Sequence, residues 1–504
     1  MKFGDKSMDS QYLVRIMNHN KIVIKNRNSM KKLVLLFMLS NIADSFALDN
    51  KLNLAMLDNG LNRCYPKILN SVLQQEINKS KTKQTQSPFD TKLNAYAQQR
   101  AGSTYNTSYQ KIEFEKRFYD SPISAYTGFD ISSGYTPQYD SAQITSTQGR
   151  QFVGLKFNLL NGFAIDKDRL ELYNAMIEED KAKYEVELAK LLIKTDALKA
   201  YIGWLVAGYE MQAYQKLLDI AEKRQKKLES RLKHGDISEI AVKENYNYIL
   251  KRKVKLMSAK DYFNQYSQSL SVYARNASCD MMVLDETMLP KKLPSPVELN
   301  ETSSEKEINS AITNRPEFKI IDTQLQQIRN RQKLASTDLL PKLNLNVQYN
   351  QNNSDTTSTS YFRLNQQEGV AKLDFSLPLE RRYATGTNEE VSNNLRKLQN
   401  ERQLLIDQIS SKLQALKFTV NNTASQLQIS KDDYNISNQL LKAEEVKFMN
   451  GDSNFFMINA REENVTNSYL TLLSNLSDNY KSYIEYNFLN GQNVNLTNIQ
   501  LEGI

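Results

Sequence analysis

The stretch NRPEFKIIDTQLQQIRNRQKLASTDLLPKLNLNVQYN, residues 314–350, occurs in outline twice in this chain. Pro66 to Asn94 lines up on Pro316 to Asn344 without a gap at an offset of 250 residues, setting Ile68 against Phe318 and Lys92-Leu93-Asn94 against Lys342-Leu343-Asn344. Asn62-Arg63 corresponds to Asn314-Arg315 after a two-residue slip. Farther along, the offset falls to 218 at Leu155/Leu373, Phe157/Phe375 and Leu159/Leu377, and to 216 at Gly235-Asp236/Gly451-Asp452. The first copy therefore holds an insertion of 32 residues, within 102–150, whose glycines, Pro122, Pro137 and many Tyr, Ser and Thr read as an additional hairpin or loop. Each copy is helix, strand, strand, long helix, Gly turn, helix.

The strand signals are confined to these copies. Leu343 to Asn350 alternates apolar and amide residues strictly, and the same period places Leu373, Phe375 and Leu377, and Val153, Leu155, Phe157 and Leu159, on one face. The other face carries Asn, Gln, Lys, Asp and Ser, which suits a wet lumen if the apolar face meets lipid. A half-buried soluble sheet has the same alternation. Strands are expected near 91–98, 152–160, 342–350 and 369–379.

Two long stretches, 138–289 and 379–504, contain no proline. In the first, Tyr184, Leu188, Leu191, Thr195, Leu198, Ile202, Leu205 and Tyr209 step alternately by four and three, a coiled-coil seam. In the second, Ile409, Leu413, Leu416, Val420, Ala424 and Leu427 follow an 11-residue repeat that avoids left-handed supercoiling. Helices of 60 to 68 residues would reach about 90–100 Å. His234-Gly235-Asp236 and Asn450-Gly451-Asp452 end them with the glycine that a left-handed cap needs, and return helices are expected over 237–275 and 453–488.

Composition agrees with long helices and excludes several functions. Gly 16 and Pro 10 among 504 residues come to about 5%, against an average near 12%. A mean hydropathy of −0.58 rules out a bundle of transmembrane helices. The net charge of +8 is spread over interleaved bases and acids, which argues against nucleic acid. Two cysteines, Cys64 and Cys279, exclude a four-Cys zinc site, and of two histidines His19 falls in a leader, leaving His234 in a helix-terminating turn. Gly203 and Gly208 have a phosphate loop's spacing, but Tyr209 and Glu210 stand where Lys and Ser/Thr belong, so close helix packing is expected. Glu178-Glu179 and Glu389-Glu390 read as solvated helix faces. No enzyme, cofactor or metal is expected.

Lys31-Lys32, the apolar run Leu33 to Leu39 and Ser45-Phe46-Ala47 form a secretory signal peptide cut after Ala47. Either translation begins at Met30 or the first 29 residues extend the charged region. The expected divisions are a presequence over 1–47, a first repeat over 48–275, a linker over 276–302 with Pro290, Pro294 and Pro296, a second repeat over 303–488 and a tail over 489–504.

In this duplicated order the chain resembles the TolC-like outer-membrane efflux protein family over nearly its whole mature length. Asn314-Arg315-Pro316-Glu317-Phe318 is similar to the opening of that family's repeat, Leu340-Pro341-Lys342-Leu343 to its helix-to-strand passage, and Gly235-Asp236-Ile237-Ser238 to the turn between its long helices. Gly134 to Asp140 and Gly162 to Arg169 resemble a branch with an enlarged first β segment.

The resemblance implies a mainly α fold with a small β part. Three protomers would share an outer-membrane barrel, four strands each, and a periplasmic α-barrel, in the outer membrane of a Gram-negative bacterium. The function implied is a passive duct of a tripartite efflux or type I secretion system, working with a periplasmic adaptor and an inner-membrane pump. Its contact residues would be His234, Gly235, Asp236, Ser238, Asn450, Gly451, Asp452 and Ser453 at the helix tips. Where the family has an acidic ring this chain has Phe456, Met457 and Asn459, with Glu462 and Glu463 slightly later, so a partly apolar constriction is expected, or simple packing of Phe456 and Met457 between helices. The family's architecture also brings Cys64 and Cys279 to one belt around the helical barrel, where an oxidising periplasm would let them pair or leave two buried thiols. The competing readings are a periplasmic coiled-coil adaptor, which would add Gly-rich β domains, and a structural coiled coil, which would lack amphipathic strands.

Overall fold

The computed structural model describes residues 52, 54–102, 106–134, 148–290, 293–300, 303–353 and 367–492. The presequence with Met30, the motif residues Tyr135 to Asp140 and most of the tail lie outside the described residues. In chain order the elements are α1 (Leu54–Cys64), α2 (Pro66–Thr85), β1 (Lys92–Ala101), β2 (Asn106–Arg117), β3 (Ile123–Gly134), β4 (Arg150–Asn158), α3 (Lys167–Lys233), α4 (Glu239–Ser271), α5 (Ser304–Asn314), α6 (Pro316–Thr337), β5 (Lys342–Asn352), β6 (Gln367–Ser376), α7 (Arg382–Met449) and α8 (Phe455–Leu489). The duplicated plan is present, and the two long helices have 67 and 68 residues.

The strands make one antiparallel sheet in the order β1-β2-β3-β4-β5-β6. Six strands replace the four implied by the resemblance, because the insertion in the first copy forms the hairpin β2–β3 and enters the ladder between β1 and β4. The two copies meet at β4 and β5, where Leu155 faces Val347 and Phe157 faces Leu345.

The helices continue the order of the strands. Toward the sheet α2 packs on α3, α3 on α6 and α6 on α7; toward the Gly turns α4 packs on α3, α3 on α8 and α8 on α7. The corner from β4 into α3 is built by Arg169, 3% exposed, whose guanidinium donates to the Gly162 carbonyl and, at 2.9 Å, to the Asp166 carboxylate. Asp166 in turn caps the helix by accepting the Arg169 backbone N–H at 3.0 Å.

Around residue 204 the expected narrow seam of α3 widens to its whole circumference. Tyr201, Ile202, Gly203, Trp204 and Leu205 are buried in succession, because α1, α4, α8 and the inter-repeat linker wrap this point. Each such apolar side chain contributes about 1.5–3 kcal/mol on burial. Here Gly203 and Gly208 are packing positions: a Cβ on Gly203 would stand 2.8 Å from the Tyr266 ring, and one on Gly208 2.5 Å from Leu289.

Asparagines hold the extended linker to this belt. Asn479 accepts the Val297 N–H at 2.9 Å and donates to the Val297 carbonyl at 3.0 Å, and Asn421 accepts the Leu299 N–H at 2.9 Å. Tyr209 and Tyr480 donate to the Pro290 and Ser295 carbonyls, each at 2.6 Å. These pairings satisfy backbone groups that have no strand partner. Arg63 and Arg315, at equivalent places in the two copies, reach the ends of their repeats, Arg63 to the Ala277 carbonyl at 2.6 Å and Arg315 to the Leu489 carbonyl at 3.1 Å.

Cys64 and Cys279 form a disulfide, with Cα atoms 5.2 Å apart and a sequence separation of 215. It closes a loop containing α2, the first four strands, α3 and α4. A cross-link over so long a loop stabilises chiefly by restricting the unfolded chain. Replacing both cysteines by serine should therefore cost about 2–5 kcal/mol, read as a lower urea midpoint that added reductant reproduces in the native chain but not in the variant.

Candidate functional site at the helix tips and the sheet face

Each long helix ends in the same hydrogen-bonded cap. In the first turn Gly235 has φ +77°, and Gly235 N–H and Asp236 N–H donate to the Leu232 and Arg231 carbonyls at 3.0 Å each. In the second, Gly451 has φ +88°, with Gly451 N–H donating to Phe448 at 3.2 Å and Asp452 N–H to Lys447 at 2.9 Å. A Cβ on either glycine would meet nothing within 4 Å, so the left-handed backbone alone demands glycine.

The expected contact residues lie at these tips but differ in freedom. His234, Asp236 and Ser238 are exposed, and Ser238 precedes α4 without making a capping bond. Asn450, Gly451 and Asp452 are exposed, whereas the Ser453 hydroxyl donates to Glu444 at 2.5 Å and is half-buried. Glu239 and Lys243 pair at 2.8 Å across one turn of α4, and that lysine lowers the Glu239 pKa. Both side chains are exposed, so the pair contributes little to stability.

The five constriction candidates divide between two faces of α8. Phe456 is 68% exposed and Met457 38%, and neither is packed away between helices. Glu463 is half-exposed and pairs with Lys255 of α4 at 3.3 Å. Asn459 and Glu462 differ from these: at 1% and 3% exposure they face inward against α3 and α4. Glu462 binds the guanidinium groups of Arg224 and, at 2.9 Å, Arg252, while the Asn459 carbonyl accepts from the same arginines at 2.7 and 3.2 Å. Arg252 also donates to the Leu217 carbonyl at 2.9 Å. A buried arginine and a partly buried one thus share one buried carboxylate, and the cluster ties the return helix of the second copy to both helices of the first.

Sequence reasoning missed Arg224 and Arg252, although a signal existed. Asn245, Ile249, Arg252, Leu256, Ala259 and Phe263 are buried along one seam of α4, with a charge where the pattern requires an apolar residue.

At the other end the sheet separates two chemistries. One face presents Leu93, Ile112, Phe114, Phe129, Val153, Leu155, Val347, Leu373 and Phe375, all exposed. Opposite lie Lys111, Asp130, Arg150, Lys156, Asn346, Asn350 and Glu368, joined by bonds such as Lys156 to Glu115 at 2.9 Å and Asn350 to Glu368 at 3.1 Å. An exposed apolar area of this extent on a folded protein marks a partner or a membrane. Among the described residues no helix is long and apolar enough to cross a membrane.

No protein-family model and no curated protein sequence matches the chain. Solved structures do. The Vibrio cholerae outer membrane protein VceC superposes with a TM-score of 0.59 at 12% identity, over 87% of this chain and 96% of that one. The Campylobacter jejuni outer membrane channel CmeC gives 0.58 at 12%, over 87% and 85%, and the open state of the Neisseria gonorrhoeae outer membrane channel MtrE gives 0.59 at 12%, over 87% and 88%. This chain has their fold.

Removing the shared carboxylate would leave the buried Arg252 and the partly buried Arg224 without their counter-ion, a change that typically costs 3–5 kcal/mol. Glu462→Leu should thus lower the thermal midpoint sharply. Adding Arg224→Leu and Arg252→Met should restore much of the loss, which separates a charge effect from a packing effect.

Proposed function

We propose that this chain is a TolC-like outer-membrane duct, the channel component of a tripartite efflux or type I secretion system in a Gram-negative bacterium. The observation that carries the reading is the sheet: strands of nine to twelve residues, apolar and exposed on one face and charged on the other, joined to helices about 100 Å long. Strands of about ten residues, tilted, are what a hydrocarbon core requires. An adaptor or a structural coiled coil has no use for such a face.

Three copies in a ring supply what one copy lacks. Among the described residues the sheet has two open edges, and in hydrocarbon each unpaired backbone group costs several kcal/mol. Apolar stripes run along the flanking helices as well: Leu250, Val254 and Met257 on α4, and Phe418, Ile429, Ile436 and Leu440 on α7, all exposed. These stripes fit each other in neighbouring copies as coiled-coil seams.

In this reading the Gly turns face an adaptor and an inner-membrane pump, through His234, Gly235, Asp236 and Ser238 in one turn and Asn450, Gly451, Asp452 and Ser453 in the other. Phe456 and Met457, exposed just past the second turn, narrow the resting entrance, with Glu463 behind them. Opening moves α7 and α8, and it strains the Glu462 cluster that links α8 to α3 and α4.

Two measurements test the proposal. Single cysteines at Leu155 or Phe375 should react in intact membranes with a lipid-soluble maleimide and resist an impermeant one, with the reverse at Lys372; water access at Phe375 would refute the lipid assignment. In planar bilayers, serine at Phe456 and Met457 should raise the resting conductance several-fold while serine at Ile240 and Ala241 changes it little; equal effects at the two turns would discard the second pair as the moving one.

A further inference from the structure

The hairpin β2–β3 is bonded into the sheet on both sides. It pairs with β1 from Lys92↔Glu115 to Ala101↔Asn106, and with β4 from Ile123↔Phe157 to Asp130↔Arg150. Its alternation is in phase with the rest, Ile112 and Phe129 lying on the same face as Val153.

Side chains on the charged face seal the joint between hairpin and parent sheet. Gly128 stands opposite Phe152 and Gly154 opposite Tyr126, so two rings lie across two glycines; a Cβ at Gly128 would come 2.6 Å from Phe152, and one at Gly154 2.4 Å from Tyr126. On the same joint Arg150 binds Asp130 through two bonds of 3.1 and 2.5 Å, and both residues are buried. A detachable flap would not bury its attachment in this way.

The widths of the two halves agree. Four helices abreast, α2, α3, α6 and α7, span about 36–40 Å at 9–10 Å each. Six strands about 4.8 Å apart and tilted by about 40° occupy about 38 Å around a ring, whereas four occupy only about 25 Å. With six strands the wall passes from helix to sheet without narrowing.

The remaining edges match as well. β1 and β6 have ten residues each, and every one is exposed. Strand direction alternates across the six, so β6 of one copy meets β1 of the next antiparallel.

We infer that the ring closes as an eighteen-stranded barrel, six strands from each of three copies, with the inserted hairpin as wall and β6 joined to the β1 of the neighbouring copy. This rests on the trimeric-channel reading above. The backbone ring is then about 36 Å across, against about 24 Å for twelve strands.

The test uses the full chain, purified from membranes into lipid nanodiscs and imaged by cryo-electron microscopy. Eighteen strands in a ring about 36 Å wide are expected. In parallel, Ala95→Cys combined in turn with Ala371→Cys, Leu373→Cys and Phe375→Cys should give, in one combination, a covalent ladder up to three chains on a non-reducing gel, since Cys64 and Cys279 already bond each other. A three-copy ring with twelve strands, the hairpin outside the wall, overturns the inference and leaves the channel reading intact. A chain that forms no ring and extracts without detergent overturns both.

Discussion

Unpaired backbone at the two edges of one sheet is the constraint on which the rest of this molecule depends. β1 and β6 are the terminal strands of the sheet and have no further strand beside them among the described residues, next to a face of exposed leucine, phenylalanine and valine. Water could satisfy the edges but not the face, and lipid could cover the face but not the edges. Only a further strand in the same plane serves both. The apolar stripes on α4 and α7 sit on the flanks of the helical layer, so strands and helices ask for the same neighbour in the same direction.

Between sheet and tips the belt around Trp204 acts as the fixed point. Among the described residues the longest unbroken buried run of α3, Tyr201 to Leu205, falls here. The disulfide, the asparagine-pinned linker and the Gly203 and Gly208 contacts all fall at this level. A helix about 100 Å long, clamped at its middle and free at its end, turns small changes at the belt into larger displacements at the tip. The Glu462 cluster opposes such displacement, adding charge to the apolar seam that holds α8 and α4 against α3.

The two tips are alike in backbone and unlike in side chain. Both caps need glycine for its left-handed φ and for nothing else, so the duplication preserved the turn while the flanks diverged. Phe456 and Met457 are left in solvent beside the second turn. At the first turn the corresponding places hold Ile240, equally exposed, and Ala241, beside the Glu239–Lys243 pair. In the proposed ring, a docking partner would meet Phe456 and Met457 at one turn and Ile240 beside a charged pair at the other.

Period and punctuation are local properties, and so the sequence by itself determined the repeat, the long helices, the Gly turns and the four framework strands. The hairpin β2–β3 was legible only as hairpin or loop, because alternation does not say whether an inserted strand joins a ladder; pairing on both sides is decided by its neighbours. The identity of the buried face of α8 was likewise out of reach. Phe456, Asn459, Glu462 and Glu463 lie within two turns of one helix, and which of them face α3 and α4 depends on a rotation set by packing far along the chain. Tertiary structure alone brought Arg224 and Arg252 to Glu462, over 200 residues away in sequence, and made a carboxylate that reads as a ring residue into a buried counter-ion. The seam of α4 marks Arg252 as an inward charge but not its partner, since the spacing of distant partners reflects the path of the fold and not the pitch of any element.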